Sequence, residues 1–369
     1  MTGLITINDN NNYGNRLQNY ATYFVLQQYD VTLNIVRKYG CEIKNFPYGK
    51  ESFIRRNGRK IKNIFFAVIH PIRSHFRFKR RRNFVCFNRL IRNGEFLSYR
   101  TNLTEITKKY DYLIVGSDQV WNPSLLGNGL YINMLGFCTN PSKKYSLSSS
   151  VAINNLSSTE IDEFKFYLKD FNLISCRESA GSNFISELLD RKVTTLIDPT
   201  LMLSKEQWLS ISNKPRYIKN KKFLLIYFLG EIKDDYKDAI EFYKNIYNLE
   251  LIYLNDEFNR YYSVGPSEFV WLIKNCEAML TDSYHGCIFA YLFEKPLLLF
   301  DRFSAGKNMN SRLETLIETL KIEKKNIFCK GSLAESILPV HYSKEILDKE
   351  RQKFALYLDQ IYREKRGKH

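Results

Sequence analysis

The sequence predicts an α/β protein of two Rossmann-like domains facing each other across a cleft, and three observations predict it. Short apolar runs of strand length alternate with helical patterns, which argues for parallel sheets joined by helical crossovers. A polar, basic stretch at 206–222, with Pro215 and little strand pattern, separates two such series. The chain has 369 residues, 44% of them hydrophobic, too long for one typical domain and ample for two cores. The expected division is an N-terminal domain over 1–205 carrying a basic helical insertion at 50–92, a linker at 206–222, a C-terminal domain over 223–342, and a closing helix within 343–369 that packs back.

In order, Leu4-Ile5-Thr6-Ile7 starts a strand, residues 8–14 make a polar loop, a helical pattern runs from about 16 to 29, and alternation at 31–37 gives a second strand. The loop Asn11-Asn12-Tyr13-Gly14-Asn15-Arg16 sits where such folds bind ligands, at the carboxyl end of a strand. A Gly/Asn turn chosen for its backbone explains the same residues. Apolar residues at 61, 64, 65, 68, 69 and 72 then trace a helical stripe interrupted at Pro71.

Charge is concentrated in this insertion. Residues 50–92 hold 14 Lys/Arg and one acid, Glu51, for +13 of the total +16, which leaves +3 for the rest of the chain. A basic amphipathic segment reads as a candidate for an anionic membrane surface. It also suits a cradle for a pyrophosphate-linked acceptor, or a solvated helical hairpin packed on its domain. Nucleic acid is not expected as a partner, because no recognised nucleic-acid motif accompanies the charge.

Further strands are expected at 110–115, 144–151, 171–175 and 193–197. They run into Gly116-Ser117-Asp118-Gln119-Val120-Trp121-Asn122, Ser148-Ser149-Ser150, Arg177-Glu178-Ser179 and Asp198-Pro199-Thr200. With the first strand, five thus end in small, polar or charged groups on one expected edge. The second series places strands at 223–229 and 249–254, and helices at 234–247, 266–275 and 308–320. Two doubly wound domains with a final helix packing back describe a glycosyltransferase-B-like architecture.

Residues 279–300 read as strand, turn, helix, Pro-bounded loop and strand. Thr281-Asp282-Ser283 offer side-chain oxygens that cap a helix, so His285 and Gly286 fall in its first turn. Free N–H groups and the helix dipole favour an anion there, and Gly286 offers no side chain to block approach. Simple capping, with His285 as a satisfied helix-start residue, is the plainer account.

Other signals bound the function. No window approaches 18 consecutive apolar residues, so no transmembrane helix is expected. Residues 1–10 lack the charged and apolar segments of a signal peptide. The seven Cys are scattered without C-x-x-C spacing, which fits reduced thiols in a cytoplasm. A cytoplasmic location, or one peripheral to the inner face of the membrane, is therefore expected. Five His without an H-E-x-x-H motif give a metal site little support.

Taken together, these stretches resemble the polysaccharide pyruvyl transferase family. The likeness is carried by Tyr13-Gly14-Asn15-Arg16-Leu17-Gln18-Asn19-Tyr20-Ala21, the Gly116–Asn122 stretch, Arg177-Glu178-Ser179, Asp198-Pro199-Thr200, Gly265-Pro266, Thr281-Asp282-Ser283-Tyr284-His285-Gly286 and Asn310-Ser311-Arg312. Each piece is short; their order over roughly 4–320 carries the resemblance. Tyr284 stands where Phe is more usual, Ser148-Ser149-Ser150-Val151 is a looser version of its stretch, and the basic block is not diagnostic.

The resemblance implies transfer of an enolpyruvyl unit from phosphoenolpyruvate to a sugar of a glycan or lipid-linked precursor, forming a pyruvate ketal and releasing phosphate. It implies that Arg177 and His285 contact the donor, with Ser283, Tyr284 and Gly286 beside them. The acceptor is expected at Asn15, Arg16, Asn19, Ser117, Asp118, Gln119 and Trp121. Elementary chemistry agrees with these roles. The donor carries a carboxylate and a phosphate, which a planar guanidinium pairs bidentately. Protonating its C3 makes C2 electrophilic, a task for an imidazole such as His285, which would otherwise stabilise departing phosphate. Asp118 would act as base or bind sugar hydroxyls. Arg177 also reads as a structural ion pair with Glu178 or Asp198, and Asp118 as a turn cap. No cofactor or metal is expected beyond the donor substrate. Two rivals stay open: a nucleotide-sugar glycosyltransferase of the same architecture, and a non-catalytic membrane-docked module of a glycan assembly complex.

Overall fold

The computed structural model describes residues 1–37, 68–98, 101–126, 130–151, 156–218, 222–304, 307–308, 311–331 and 333–363. The first part of the basic insertion, including positions 61, 64 and 65 of its expected apolar stripe, lies outside them, as do Asn310 and residues 364–369.

Strands β1 (Thr2–Ile5), β2 (Thr32–Arg37), β3 (Asn93–Leu97), β4 (Tyr112–Val115) and β6 (Lys144–Ser146) form a parallel sheet in the order β3-β2-β1-β4-β6. Two of these strands resume after short breaks. Beyond Gly116-Ser117 comes β5 (Asp118–Trp121), and beyond Leu147-Ser148 comes β7 (Ser149–Val151). With β8 (Ser175–Cys176) and β9 (Thr194–Thr195) they make a second parallel sheet, β5-β7-β8-β9. The breaks matter because they put Ser117, Asp118 and Ser148 where the first sheet gives way to the second. Helices α1 (Tyr13–Leu26), α2 (Pro71–Asn88), α3 (Leu103–Lys109), α4 (Ser158–Leu168) and α5 (Ser179–Leu189) complete this lobe. The expected interruption at Pro71 stands: helix at 68–69 breaks at His70, and Pro71 opens α2 at its first position, where its missing N–H costs nothing.

After α6 (Lys205–Ser210) the second lobe holds β10 (Phe223–Tyr227), β11 (Glu250–Tyr253), β12 (Ala278–Thr281) and β13 (Leu297–Leu299), parallel in the order β11-β10-β12-β13. Helices α7 (Asp234–Tyr247), α8 (Pro266–Asn275), α9 (Tyr284–Leu292), α10 (Ser311–Leu320) and α11 (Lys344–Ile361) follow. Strands β10 and β12 are buried along their whole length, as parallel strands covered on both faces must be.

One apolar core joins the lobes. Tyr13 of α1 stacks on Phe269 of α8 at 4.5 Å and meets Tyr227 edge-on at 5.4 Å. Trp208 sits inside the expected linker, yet it is fully buried between Tyr20 and Phe289. Burial of two large rings each side resists lobe separation, since aromatic contacts add to the area they bury. The closing helix α11 lies on the first lobe: Arg351 donates to the carbonyls of Leu201 and Leu203, Tyr357 to that of Ser146, and Tyr362 shares a 2.9 Å bond with Thr2.

Candidate functional site

The carboxyl end of β12 is built from short polar side chains that satisfy backbone. Thr281 donates its hydroxyl to the Tyr227 carbonyl at 2.5 Å and accepts from the Ser283 N–H at 3.0 Å. Asp282 accepts the N–H groups of Leu229 and Gly230, both at 2.7 Å, and so ties down the loop after β10. Burial pushes the Asp282 carboxyl up, against those two N–H groups and Arg302. Ser283 caps α9 by accepting from the Gly286 N–H at 3.2 Å. The cap leaves Tyr284 and His285 to open the helix.

Gly286 faces its own lobe. A Cβ there would stand 2.9 Å from Met279 Cε and 3.0 Å from Thr281 Oγ1, so its bareness lets α9 approach β12. The expected opening for a ligand at Gly286 is therefore a packing position. Gly14 has the cross-lobe role instead. A Cβ on Gly14 would fall 2.0 Å from His285 Nδ1 and 2.4 Å from its Cγ. Only a residue without a side chain lets α1 of the first lobe receive the imidazole of the second.

His285 is 7% exposed and its Nε2 stands 3.5 Å from Asp198 Oδ2. Arg177, just past β8 and 3% exposed, donates from Nη1 to the same oxygen at 2.7 Å. Its Nη2 lies 3.5 Å from Asp118 Oδ1, and its guanidinium lies over the Tyr284 ring at 4.6 Å. Residues from both lobes thus converge on one carboxylate. Asp198 is fixed from behind by the N–H and hydroxyl of Thr200, at 2.9 and 2.7 Å. Arg177 Nε, Arg177 Nη2 and His285 Nε2 are buried without a hydrogen-bond partner, an arrangement that costs free energy unless a further group enters.

Asp118 begins β5 with φ at 72°, a backbone region that non-glycine residues rarely occupy. Its Oδ2 accepts from Asn15 Nδ2 at 2.7 Å. Burial alone would raise the Asp118 pKa, but Arg177, His285, the Asn15 amide and Arg312 outweigh it and hold the carboxyl below its ordinary value. Asp198 is likewise held well below the carboxylate range: burial opposes this, and His285, Arg177 and Thr200 prevail. Glu178 goes the other way, pushed up by burial although Arg177 and its bonds from Val151 N and Ser150 Oγ oppose this. Arg312, on the first turn of α10, is pushed down to about 10 by burial and by the like charge of Arg177. The Gln119 amide, turned so that its oxygen meets cations, accepts from both Arg312 Nη atoms at 2.8 and 2.9 Å.

The other expected acceptor residues fall differently. Trp121 is fully buried in the core and donates Nε1 to the Asn133 carbonyl, so it presents no face to a sugar. Ser117 is fully buried, with its hydroxyl donating to the Ser148 carbonyl at 3.0 Å. Arg16 is 2% exposed and donates to Asn8 and Asn88, away from Asp118; the Asn19 amide, turned like that of Gln119, accepts from both Arg16 Nη atoms at 3.1 and 3.2 Å. Asn15, Asp118 and Gln119 remain with the cluster. Gly14 was expected only as part of its loop, Asp198 only as an ion-pair partner of Arg177, which the structure shows, and Arg312 only within a stretch of family likeness. The signal for them was their presence within the stretches that carry the family resemblance.

A cleft of about 270 Å³ opens beside Arg177 and Tyr284, its other walls bearing Ser179, Thr195, Thr315 and Lys353. Among the described residues no group of three or more His, Cys, Asp or Glu could hold a metal ion. No described helix is long and apolar enough to cross a membrane.

The family model described as polysaccharide pyruvyl transferase matches residues 12–302. No curated protein matches the chain. Among solved structures, the UDP-GlcNAc 2-epimerase of Neisseria meningitidis is similar at 13% identity and a TM-score of 0.47, over 98% of this chain and 93% of that one. The Methanocaldococcus jannaschii UDP-GlcNAc 2-epimerase is similar at 14% identity and 0.46, over 96% and 92%. The Escherichia coli ADP-heptose lipopolysaccharide heptosyltransferase II is similar at 12% identity and 0.36, over 99% and 100%.

Proposed function

Since this chain belongs to the polysaccharide pyruvyl transferase family, which implies transfer of pyruvyl groups to polysaccharide, we propose that its donor is phosphoenolpyruvate and its product a cyclic pyruvate ketal on a glycan or glycan precursor. The observation that supports this reading best is the meeting of Arg177 and His285 on Asp198, with three of their nitrogens buried and unsatisfied. A donor bearing carboxylate and phosphate supplies the acceptors those nitrogens lack. The Nε–Nη2 edge of Arg177 takes one anionic group, and Arg312 offers a second guanidinium, which burial and the like charge of Arg177 depress.

The chemistry then runs as follows. A proton passes to C3 of the donor, turning the methylene into a methyl group and C2 into an electrophile. A sugar hydroxyl adds its oxygen to C2 and loses its proton. The C2–O bond to phosphate breaks, phosphate leaves with the bonding pair, and a second hydroxyl closes the ketal. Over the whole reaction two hydroxyl protons leave the sugar, and one reaches C3 while the other leaves with phosphate. His285 is the group that handles the C3 or phosphate proton, with the Asp198 carboxylate 3.5 Å from its Nε2. Asp118, kept ionised by its neighbours, is a weak base; its role is to accept hydrogen bonds from acceptor hydroxyls.

The test pairs donor binding with turnover. Phosphoenolpyruvate should raise the melting temperature where UDP-sugars do not, and phosphate release should need both donor and acceptor. A thermal shift with UDP-sugars and none with phosphoenolpyruvate would replace this reading by the glycosyltransferase one.

A further inference from the structure

Helix α2 belongs to the basic insertion, and the candidate site uses little of it. Its inner face is anchored. Phe84 and Phe87 are buried in the core, Arg80 donates to Tyr13, to the Tyr262 carbonyl and to the Asn11 carbonyl, and Arg73 and Arg77 pair with Glu257 of the other lobe. Asn83 completes this side by donating to Ser263 O and Glu268.

The outer face has no such partners among the described contacts. Phe78, Arg82, Val85 and Arg89 follow one another at helical spacing, so they share one face. Phe78 is 69% exposed, Val85 is 45% exposed, and Arg81, Arg82 and Arg89 are exposed beside them. Just upstream, Val68, Ile69 and Ile72 are more than half exposed. The segment 68–92 carries eight Lys/Arg and not one acid. A surface that alternates large apolar side chains with uncompensated guanidinium groups is unfavourable in water and suited to an interface that is apolar inside and anionic outside.

We propose that the outer face of α2, through Phe78, Arg81, Arg82, Val85 and Arg89, docks the protein on an anionic lipid surface. The rings and methyl groups enter the headgroup boundary while the guanidinium groups pair with lipid phosphates. Charge complementarity selects the anionic bilayer, and the exposed Phe78 and Val85 select it over a plain polyanion such as nucleic acid, whose phosphates give apolar groups nothing to enter. The inference rests on the helix surface alone, so vesicle binding and donor binding succeed or fail separately.

Co-sedimentation of the full chain with vesicles tests it. Binding should appear with mixed phosphatidylglycerol–phosphatidylcholine vesicles, weaken as salt is raised, and be slight with phosphatidylcholine alone. Arg81→Glu with Arg82→Glu should lower the partition coefficient at least about tenfold. Phe78→Ser with Val85→Ser should lower it as well, at unchanged melting temperature, because these side chains are exposed. Absence of binding to the anionic vesicles overturns the proposal. So does binding that survives both double variants, or duplex DNA bound as tightly as vesicles and indifferent to Phe78→Ser with Val85→Ser. The salt series reads the electrostatic part without any variant.

Discussion

The two lobes share one wiring of parallel strands, yet they finish their strands differently. In the first lobe Asp118 opens β5 after the break that follows β4, while Arg177 and Asp198 lie just past strand ends, and both carboxylates face Arg177. In the second, Thr281, Asp282 and Ser283 spend their oxygens on backbone N–H groups and carbonyls. The second lobe therefore sends only a few side chains across, His285 and Arg312 chief among them. The difference suggests a division of labour, with one lobe carrying the charge and the other a rigid, capped platform for an imidazole.

Substitutions break or sharpen that contrast in graded ways. His285→Ala should lower phosphate release by about 10²–10⁴-fold, the range for a lost general acid, at little cost to the melting temperature. Asp198→Asn leaves Arg177 short of its closest carboxylate, and denaturant unfolding should show a loss of about 3–5 kcal/mol. The Asp198 carboxyl is held below its unfolded value, so its contribution is present above that value and disappears as pH falls. The variant should therefore lack part of the wild type's loss of stability toward acid. Gly14→Ala drives a methyl into the His285 ring and should cost about 1–3 kcal/mol, with activity falling further than stability. On the platform side, Asp282→Asn turns one acceptor of two backbone N–H groups into a donor. It should cost about 1–3 kcal/mol and leave donor affinity close to wild type.

Glu178→Gln is the mildest. Its Oε1 keeps the bonds from Val151 and Ser150, while the substitution removes a buried charge whose pKa is raised. A raised carboxyl loses stability as pH climbs from the unfolded toward the folded value. The variant should thus equal the wild type near pH 4 and be level with it or more stable at pH 7, by about 1 kcal/mol at most.

Much of this was legible from residue patterns, and the gaps have physical causes. The helices Asp234–Tyr247 and Pro266–Asn275 match their expected spans, because the acidic first turn of one and the Gly-Pro start of the other mark their beginnings. Strand β3 was invisible, since Asn93-Gly94 has the chemistry of a turn and only pairing with β2 makes it a strand. Arg177 and His285 stood out by residue type and by motif, and the structure sets them on a common carboxylate. Asp198 was one of two carboxylates expected to pair with Arg177; that His285 of the other lobe meets the same carboxylate is a long-range fact of the fold. Trp121 shows the opposite error. It was expected among the acceptor residues, and only the sheet reveals that its ring is core. Gly286 misled for a similar reason, because a bare backbone position says nothing about which side needs the space.

The most direct test of the interlobe site is calorimetric titration of phosphoenolpyruvate into the wild-type chain, Arg177→Lys and His285→Ala. The account predicts a saturable heat for the wild type and affinity weakened at least about tenfold in Arg177→Lys, which keeps the charge and loses the fork. No binding to the wild type, or equal affinity in all three proteins, would contradict it.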